Sequence, residues 1–335
     1  MLATMTAAML RASVAVFTFV LCVTSFPVSG QVTFQNIHGD HIAIAINGRP
    51  FSDFYIGSSY PKPFLAPLRT ASGLVVTRHY PMELVEGESR DHPHHRGLWI
   101  GYGQINDVNF WENEASQTNR NPRNPLTRGL IVLEKLNELK PGPDHGSITA
   151  TFGWRSPEGS NILEEHRTMI FYADPEIRKL DVDSTLTAVK LAKFADTKEG
   201  FFAIRVADSM REQNGGMIRD SNGAQGEKNV WGKRADWADY EGMVEGQKVG
   251  IAIFDHPQNY NHPPRWHARA YGLFAVNPFG VKDFERTSTA SGGYSMQPGQ
   301  SLRFRYRVII YSGAEPASKI AAWYADYIKP ETRGQ

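Results

Sequence analysis

The chain has 335 residues, 41% of them hydrophobic and 11% aromatic, enough for one large core or two modest ones and too apolar for a disordered polymer. Its 36 basic residues stand against 35 acidic ones, a balance that gives neither nucleic acid nor an anionic membrane surface an electrostatic hold. The single cysteine, Cys22, excludes a disulfide framework and a Cys-ligated metal.

The first element reads as a targeting segment. Arg11 precedes an apolar run over residues 14 to 23 (VAVFTFVLCV), followed by Pro27 and the small residues Val28-Ser29-Gly30. This is the order of a secretory signal peptide, placed at residues 1–30. The apolar run, about 10 residues, is well short of the ~20 that cross a bilayer, and no later segment comes close. A periplasmic or secreted protein with no membrane span is therefore expected, its mature part a single domain over residues 31–335. Losing Arg11 leaves that part with 35 basic and 35 acidic residues and no thiol.

From there the periodicity is that of strands. Residues 41 to 46 (HIAIAI) alternate before the Asn47-Gly48 turn signal, and residues 73 to 78 and 129 to 133 follow. Between 147 and 188, SITATFGWRS, EEHRTMIFYAD and KLDVDSTLTAV, separated by turns, read as three successive antiparallel strands. Residues 301 to 311 (SLRFRYRVIIY) alternate cleanly after a Pro-Gly turn. One helix is expected near 317 to 328 (ASKIAAWYADYI), opened by Pro316 and closed by Pro330. Strands spaced by turns without alternating helices predict an all-β fold, a large antiparallel β-sandwich with one C-terminal helix.

The chemistry concentrates in five segments. In DHPHHRGLW (91–99), three of the 11 histidines lie within four residues, beside Arg96. Pro93 keeps this stretch out of helix, so it is extended or a turn, with His92 and His94 expected on one side and His95 on the other. A helical zinc motif is excluded. A metal is possible only if His92 and His94 gain a distant ligand such as His256, and no cofactor is otherwise expected. Residues 106 to 112 supply Asn109, Trp111 and Glu112. Residues 196 to 205 place Lys198 and Glu199 before an apolar strand ending in Arg205, six positions on and so on the same face of an unbroken strand. Residues 231 to 240 supply Lys233, Arg234 and Trp237, and residues 254 to 280 supply Asp255, His256, Trp266, His267, Arg269 and Asn277. Aromatic faces to cover the C–H face of a sugar ring and planar groups to bond its hydroxyls make this an inventory suited to a carbohydrate.

The runs HPHHRGLWIGYGQINDVNFW, KEGFFAIRVAD, WGKRADWADY and FDHPQNYNHPPRWHARAYGLFAVNPFG resemble, in order and spacing, exported bacterial proteins labelled "methane oxygenase PmoA". A looser, fold-level resemblance is to galactose-mutarotase-like β-sandwiches, whose fold implies a sugar groove across a sheet and His and Glu as acid and base. On the residues themselves, we expect acid–base chemistry on a sugar or glycan, by hydrolysis, β-elimination or epimerisation. His94 or His95 would be the general acid and Glu199 the base. Arg96 and Arg205 would orient a carboxylate or hydroxyl, and Trp111, Trp237 or Trp266 would stack on the ring. His256 and His267 would complete the relay. The alternatives are a non-catalytic glycan-binding sandwich and, as the label implies, a metal-dependent oxygenase. The oligomeric state has no sequence signature here.

Overall fold

The computed structural model describes residues 31–115, 127–285, 289 and 291–330; the expected signal peptide lies outside the described residues. In chain order the strands are β1 (Val32–Ile37), β2 (His41–Ile46), β3 (Arg49–Tyr55), β4 (Phe64–Ala66), β5 (Leu98–Tyr102), β6 (Val108–Asn109), β7 (Thr127–Arg128), β8 (Leu130–Lys140), β9 (His145–Arg155) and β10 (Asn161–Tyr172). They continue as β11 (Arg178–Ala188), β12 (Ala192–Phe194), β13 (Gly200–Arg205), β14 (Met217–Asp220), β15 (Trp237–Val244), β16 (Gln247–Asp255), β17 (Arg265–Ala268), β18 (Leu273–Asn277), β19 (Tyr294–Met296) and β20 (Ser301–Ser312). The α-helices are α1 (Glu227–Val230), α2 (Lys282–Glu285) and α3 (Ala317–Tyr327).

Two eight-stranded sheets dominate, ordered β1-β2-β3-β4-β5-β13-β18-β17 and β14-β15-β16-β20-β11-β10-β9-β8. Neighbours within each are antiparallel. Period-2 burial, as in the strict alternation of β11, turns one face of each sheet toward the other. Aromatic pairs cross the gap: Phe202 stacks on Tyr306 at 4.5 Å and Phe54 meets Phe152 edge-on at 6.2 Å. Each such side chain contributes about 1.5–3 kcal/mol by leaving water. The expected all-β sandwich and C-terminal helix are therefore the observed architecture.

The outer faces differ in use. On the second sheet α3 lays Ile320 and Tyr324 over Trp237, Phe254 and Tyr311. On the first sheet one cross-strand row runs Tyr55, Phe64, Trp99, Ala203, Ala275, His267. Two alanines in the middle, between Trp99 and His267, leave room for side chains arriving from loops.

One expected strand is absent. Residues 73 to 78 form only isolated bridges, Arg69 with Val75 and Thr77 with Val206. Their alternation serves a tight turn instead, closed by Gly73 N to Thr70 O at 3.1 Å and Thr70 N to Leu74 O at 2.9 Å. Among the described residues, no helix is long and apolar enough to cross a membrane.

Candidate functional site

Residues 92 to 95 form a turn, with His95 N donating to His92 O at 3.0 Å and Pro93, whose fixed φ suits the second position of a β-turn. Such a turn brings its first and fourth residues together. His92 and His95 accordingly stack at 4.8 Å with planes 6° apart, and His94 sits edge-on to His95 at 4.2 Å. The expectation that the proline would send the histidines to opposite faces is corrected: the turn, with His92 at φ +44°, gathers all three. Gly97 then admits the chain to β5, because a Cβ there would lie 1.9 Å from Leu65 O.

The three rings occupy different depths. His94 and His95 are buried, over buried Trp99 and Trp111. Arg205 donates to His95 Nδ1 at 3.3 Å. A guanidinium only donates, so His95 carries its proton on Nε2, a buried atom with no partner. Burial first, then the charges of His94 and Arg205, hold His95 well below the usual histidine range, and it is neutral.

His92 lies at the rim, its side chain 31% exposed, and its Nδ1 is 2.5 Å from Asp91 Oδ2. Asp91 also receives Arg78 at 2.6 Å and Arg205 at 2.8 Å, two guanidiniums with no exposure of their own. Desolvation works to raise the Asp91 carboxyl, but the bond from His92 and the two arginines outweigh it and hold it far below the usual carboxylate range. An ionised acceptor fixes a His92 proton on Nδ1 and leaves Nε2 as the ring nitrogen outside that bond. Tyr271 lies parallel to His92 at 5.2 Å and beneath the Arg205 guanidinium at 4.9 Å.

Glu199 precedes β13, lies close enough to Tyr271 for its charge to act on that phenol, and forms its ion pair with Lys198 at 2.7 Å. The strand alternation expected to align Glu199 with Arg205 stops at Gly200, so Arg205 takes Asp91 as its partner instead. Burial tends to raise the Glu199 carboxyl, yet His267, Lys198 and His92 bring it below its ordinary value, and it is ionised near neutrality. His267 is buried and points Nδ1 at Lys198 O, 3.0 Å away. The carbonyl accepts, so His267 Nε2 is a buried lone pair without a partner. Burial pushes His267 down to about 4 against the pull of Glu199. Gly103 donates to Glu199 O at 2.7 Å and must lack a side chain, since a Cβ would lie 2.7 Å from that of Glu199.

Arg269 completes this rim, 2.7 Å from Glu227 by its Nε, a charge contact without hydrogen-bond alignment, since that nitrogen finds no directed acceptor. Its guanidinium covers Trp231 at 5.7 Å and Tyr271 at 5.6 Å. Arg96 forms a two-pronged pair with Glu114 at 2.8 and 3.0 Å. Below Trp111, buried Lys62 bonds Trp111 O and Asn113 Oδ1 at 2.8 and 2.6 Å, and burial brings it down to about 7.

Other nominated residues have supporting or remote places. Asn109 accepts from the Trp111 and Glu112 amides, which aims Trp111 inward. Asn277 bonds Thr197 O and the Phe279 and Gly280 amides, bracing the loop that carries Glu199. Trp111 and Trp266 are fully buried, and Trp266 lies in the sandwich core bonded to Ala235 O. Trp237 is sealed under α3. None of the three offers a face to a ligand; the two rings under Arg269, Tyr271 and Trp231, are half-exposed. Arg234 binds Asn261, and Lys233 is exposed beside it.

The second Asp-His-Pro lies elsewhere: Asp255 bonds His262 at 2.6 Å, and His256 takes Arg305 at 2.9 Å with Tyr327 edge-on. His256 thus does not join His92 and His94, and among the described residues no group of three or more His, Cys, Asp or Glu is placed to hold a metal ion. Sequence reasoning left Asp91 and Trp231, both inside nominated segments, without a role and missed Arg78 and Tyr271. Asp91 was signalled by adjacency to His92, and Tyr271 by its place two residues after Arg269; Arg78 had no signal.

Residues 41–325 match the family model described as a family of unknown function, DUF6807, and the chain belongs to that family. That description assigns no activity and so lends none to the methane-oxygenase label. No curated protein matches. Solved structures similar to this chain include a galactose mutarotase-like protein from Clostridium acetobutylicum, at 9% identity over 84% of this chain and 98% of that one with a TM-score of 0.42. A protein proposed as an aldose 1-epimerase from Klebsiella pneumoniae shares 10% identity over 90% and 88%, with a TM-score of 0.42. A glycoside hydrolase family 97 enzyme from Pseudoalteromonas sp. strain K8 shares 11% over 85% of this chain and 34% of that one, with a TM-score of 0.33. Likeness at this level carries no statement about activity.

Proposed function

We propose that the protein is an exported carbohydrate-active enzyme that performs acid–base chemistry on a sugar, with His92 as the proton-transferring acid, Asp91 as its positioning carboxylate and Glu199 as the base. The observation that carries this reading is the layering of the site. A carboxylate-backed imidazole stacked on Tyr271 and an ionised glutamate whose charge reaches the same ring stand at a solvent-reached rim, above a sealed floor of neutral His95, His267 and tryptophans. The acid role passes from the expected His94 or His95 to His92, because a proton donor must reach the ligand and those two are buried. A glycan-binding module, the alternative, would present broad aromatic faces, whereas Trp111, Trp237 and Trp266 are covered.

Positioned acid and base groups of this kind typically contribute about 10²- to 10⁴-fold each. The test follows sugars and glycosides by proton NMR in the presence of enzyme, scoring anomer exchange, epimerisation, elimination and bond cleavage. His92→Asn and Glu199→Gln should each lower turnover at least 100-fold with the fold intact. Wild-type turnover in either variant would remove that residue from the mechanism. Binding without turnover of any sugar would favour the module.

A further inference from the structure

The same rim determines which sugars can enter. Among the described residues, each arginine or lysine facing it already has a carboxylate: Arg78 and Arg205 share Asp91 at 2.6 and 2.8 Å, Lys198 has Glu199 at 2.7 Å, and Arg269 has Glu227 at 2.7 Å. Arg96, lower down, is clamped by Glu114 at 2.8 Å. Of the deeper groups, His95 and His267 are neutral, and Trp99 and Trp111 are sealed. An incoming carboxylate, phosphate or sulfate would be stripped of water beside Asp91, Glu199 and Glu227 with no uncommitted cation among the described residues to receive it, a costly arrangement in a half-buried site.

We infer that the site takes an uncharged polyhydroxylated sugar and excludes uronates and phosphorylated or sulfated sugars. Glu227 and Asp91 are its specificity-determining residues, because they occupy the guanidiniums that would otherwise bind an acid. Glu227 is the cleaner of the two. It comes from α1, takes no part in the proposed proton transfers, and is itself held by the Ala270 amide at 2.6 Å. The inference rests on the reading of this site as a sugar site and narrows it, since it disfavours β-elimination from uronic acids.

The experiment measures dissociation constants by ligand-observed NMR for methyl glucoside, galactoside and mannoside against the corresponding methyl uronides. The wild-type protein should bind at least one neutral member tenfold or more tighter than its uronide. Glu227→Gln, which releases Arg269, should move that ratio at least fivefold toward the uronide. Glu199→Gln, which releases Lys198, provides a second variant should Glu227→Gln not fold. A uronide bound as tightly as its neutral partner by the wild type, or a ratio unmoved in a folded variant, overturns the inference and leaves the sugar reading standing. Failure of the wild type to bind any of the six removes the sugar reading and the inference with it.

Discussion

Replacing Asp91 by Asn tests the centre of the site directly. The change keeps the shape and removes the one negative charge shared by Arg78, Arg205 and His92. Stranding one partner of a fully buried ion pair costs roughly 3–5 kcal/mol. Here both guanidiniums are sealed but the Asp91 side chain is 40% exposed, so water can repay part of the loss and about 2 kcal/mol is expected. For a chain of this size that lowers the melting temperature by roughly 4 °C. The pH dependence has a definite sign. A carboxyl whose folded pKa is depressed contributes stability that is complete above its unfolded value of about 3.9 and disappears as pH falls through the folded value. Calorimetric melts from pH 8 down to pH 3 should therefore show a constant deficit for Asp91→Asn down to about pH 5, narrowing only below about pH 4. A variant melting within 1 °C of wild type at pH 7, or a deficit that already changes between pH 8 and pH 5, would refute the assignment of Asp91 as the ionised hub.

Two further substitutions probe the floor. Gly103→Ala drives a methyl to within 2.7 Å of the Glu199 Cβ; overpacking of this kind costs about 1–3 kcal/mol, so thermal melts should fall and Glu199-dependent turnover with them, and unchanged melts would show that the loop yields freely. Lys62, brought down to about 7 by burial, binds fewer protons folded than unfolded between pH 7 and about 10.4, so its contribution to stability rises with pH across that window by up to about 1.4 kcal/mol per unit. Lys62→Met should abolish this slope, and parallel denaturant midpoints for variant and wild type at pH 7 and pH 9 would mean that Lys62 titrates normally.

The fold was legible where one face of a strand is wet. β2, β9, β10, β11 and β20 alternate so regularly that burial on one side is written into composition, and α3 is bracketed by prolines. The segment at 73 to 78 misled because a tight turn can carry the same alternation as a strand. At the site, DHPHHRGLW, Trp111, Glu199, His267 and Arg269 were nominated and do meet. Their depth was not legible, because whether a histidine is rim or floor depends on what a turn folds it against. Trp237 and Trp266 show the same limit: a tryptophan among charges in sequence can sit under a helix or inside the sandwich in space. The repeated Asp-His-Pro shows that a three-residue echo carries no spatial information, since Asp255 serves His262 on the far sheet.

Strands and loops divide the work at this site in a way that bears on how it keeps its geometry. The row Trp99, Ala203, Ala275, His267 belongs to four hydrogen-bonded strands and is as rigid as the sheet. The groups proposed to transfer protons sit on loops, but each loop is tied back to that rigid part through buried backbone atoms. The Lys198 carbonyl bonds His267, the Glu199 carbonyl receives Gly103, and Asn277 holds Thr197. Asp208 holds the Ser89 amide and hydroxyl at 2.6 and 2.9 Å just before Asp91. A carboxylate tethered at its own main chain loses little further freedom when a ligand arrives, which is the condition under which a proton-transferring pair acts efficiently. His267 then acts through position, since its unpartnered Nε2 is sealed while its Nδ1 fixes the loop beneath Glu199. Loss of the floor should disturb stability and chemistry together, whereas loss of a rim charge such as Glu227 should alter recognition with far less cost to the fold.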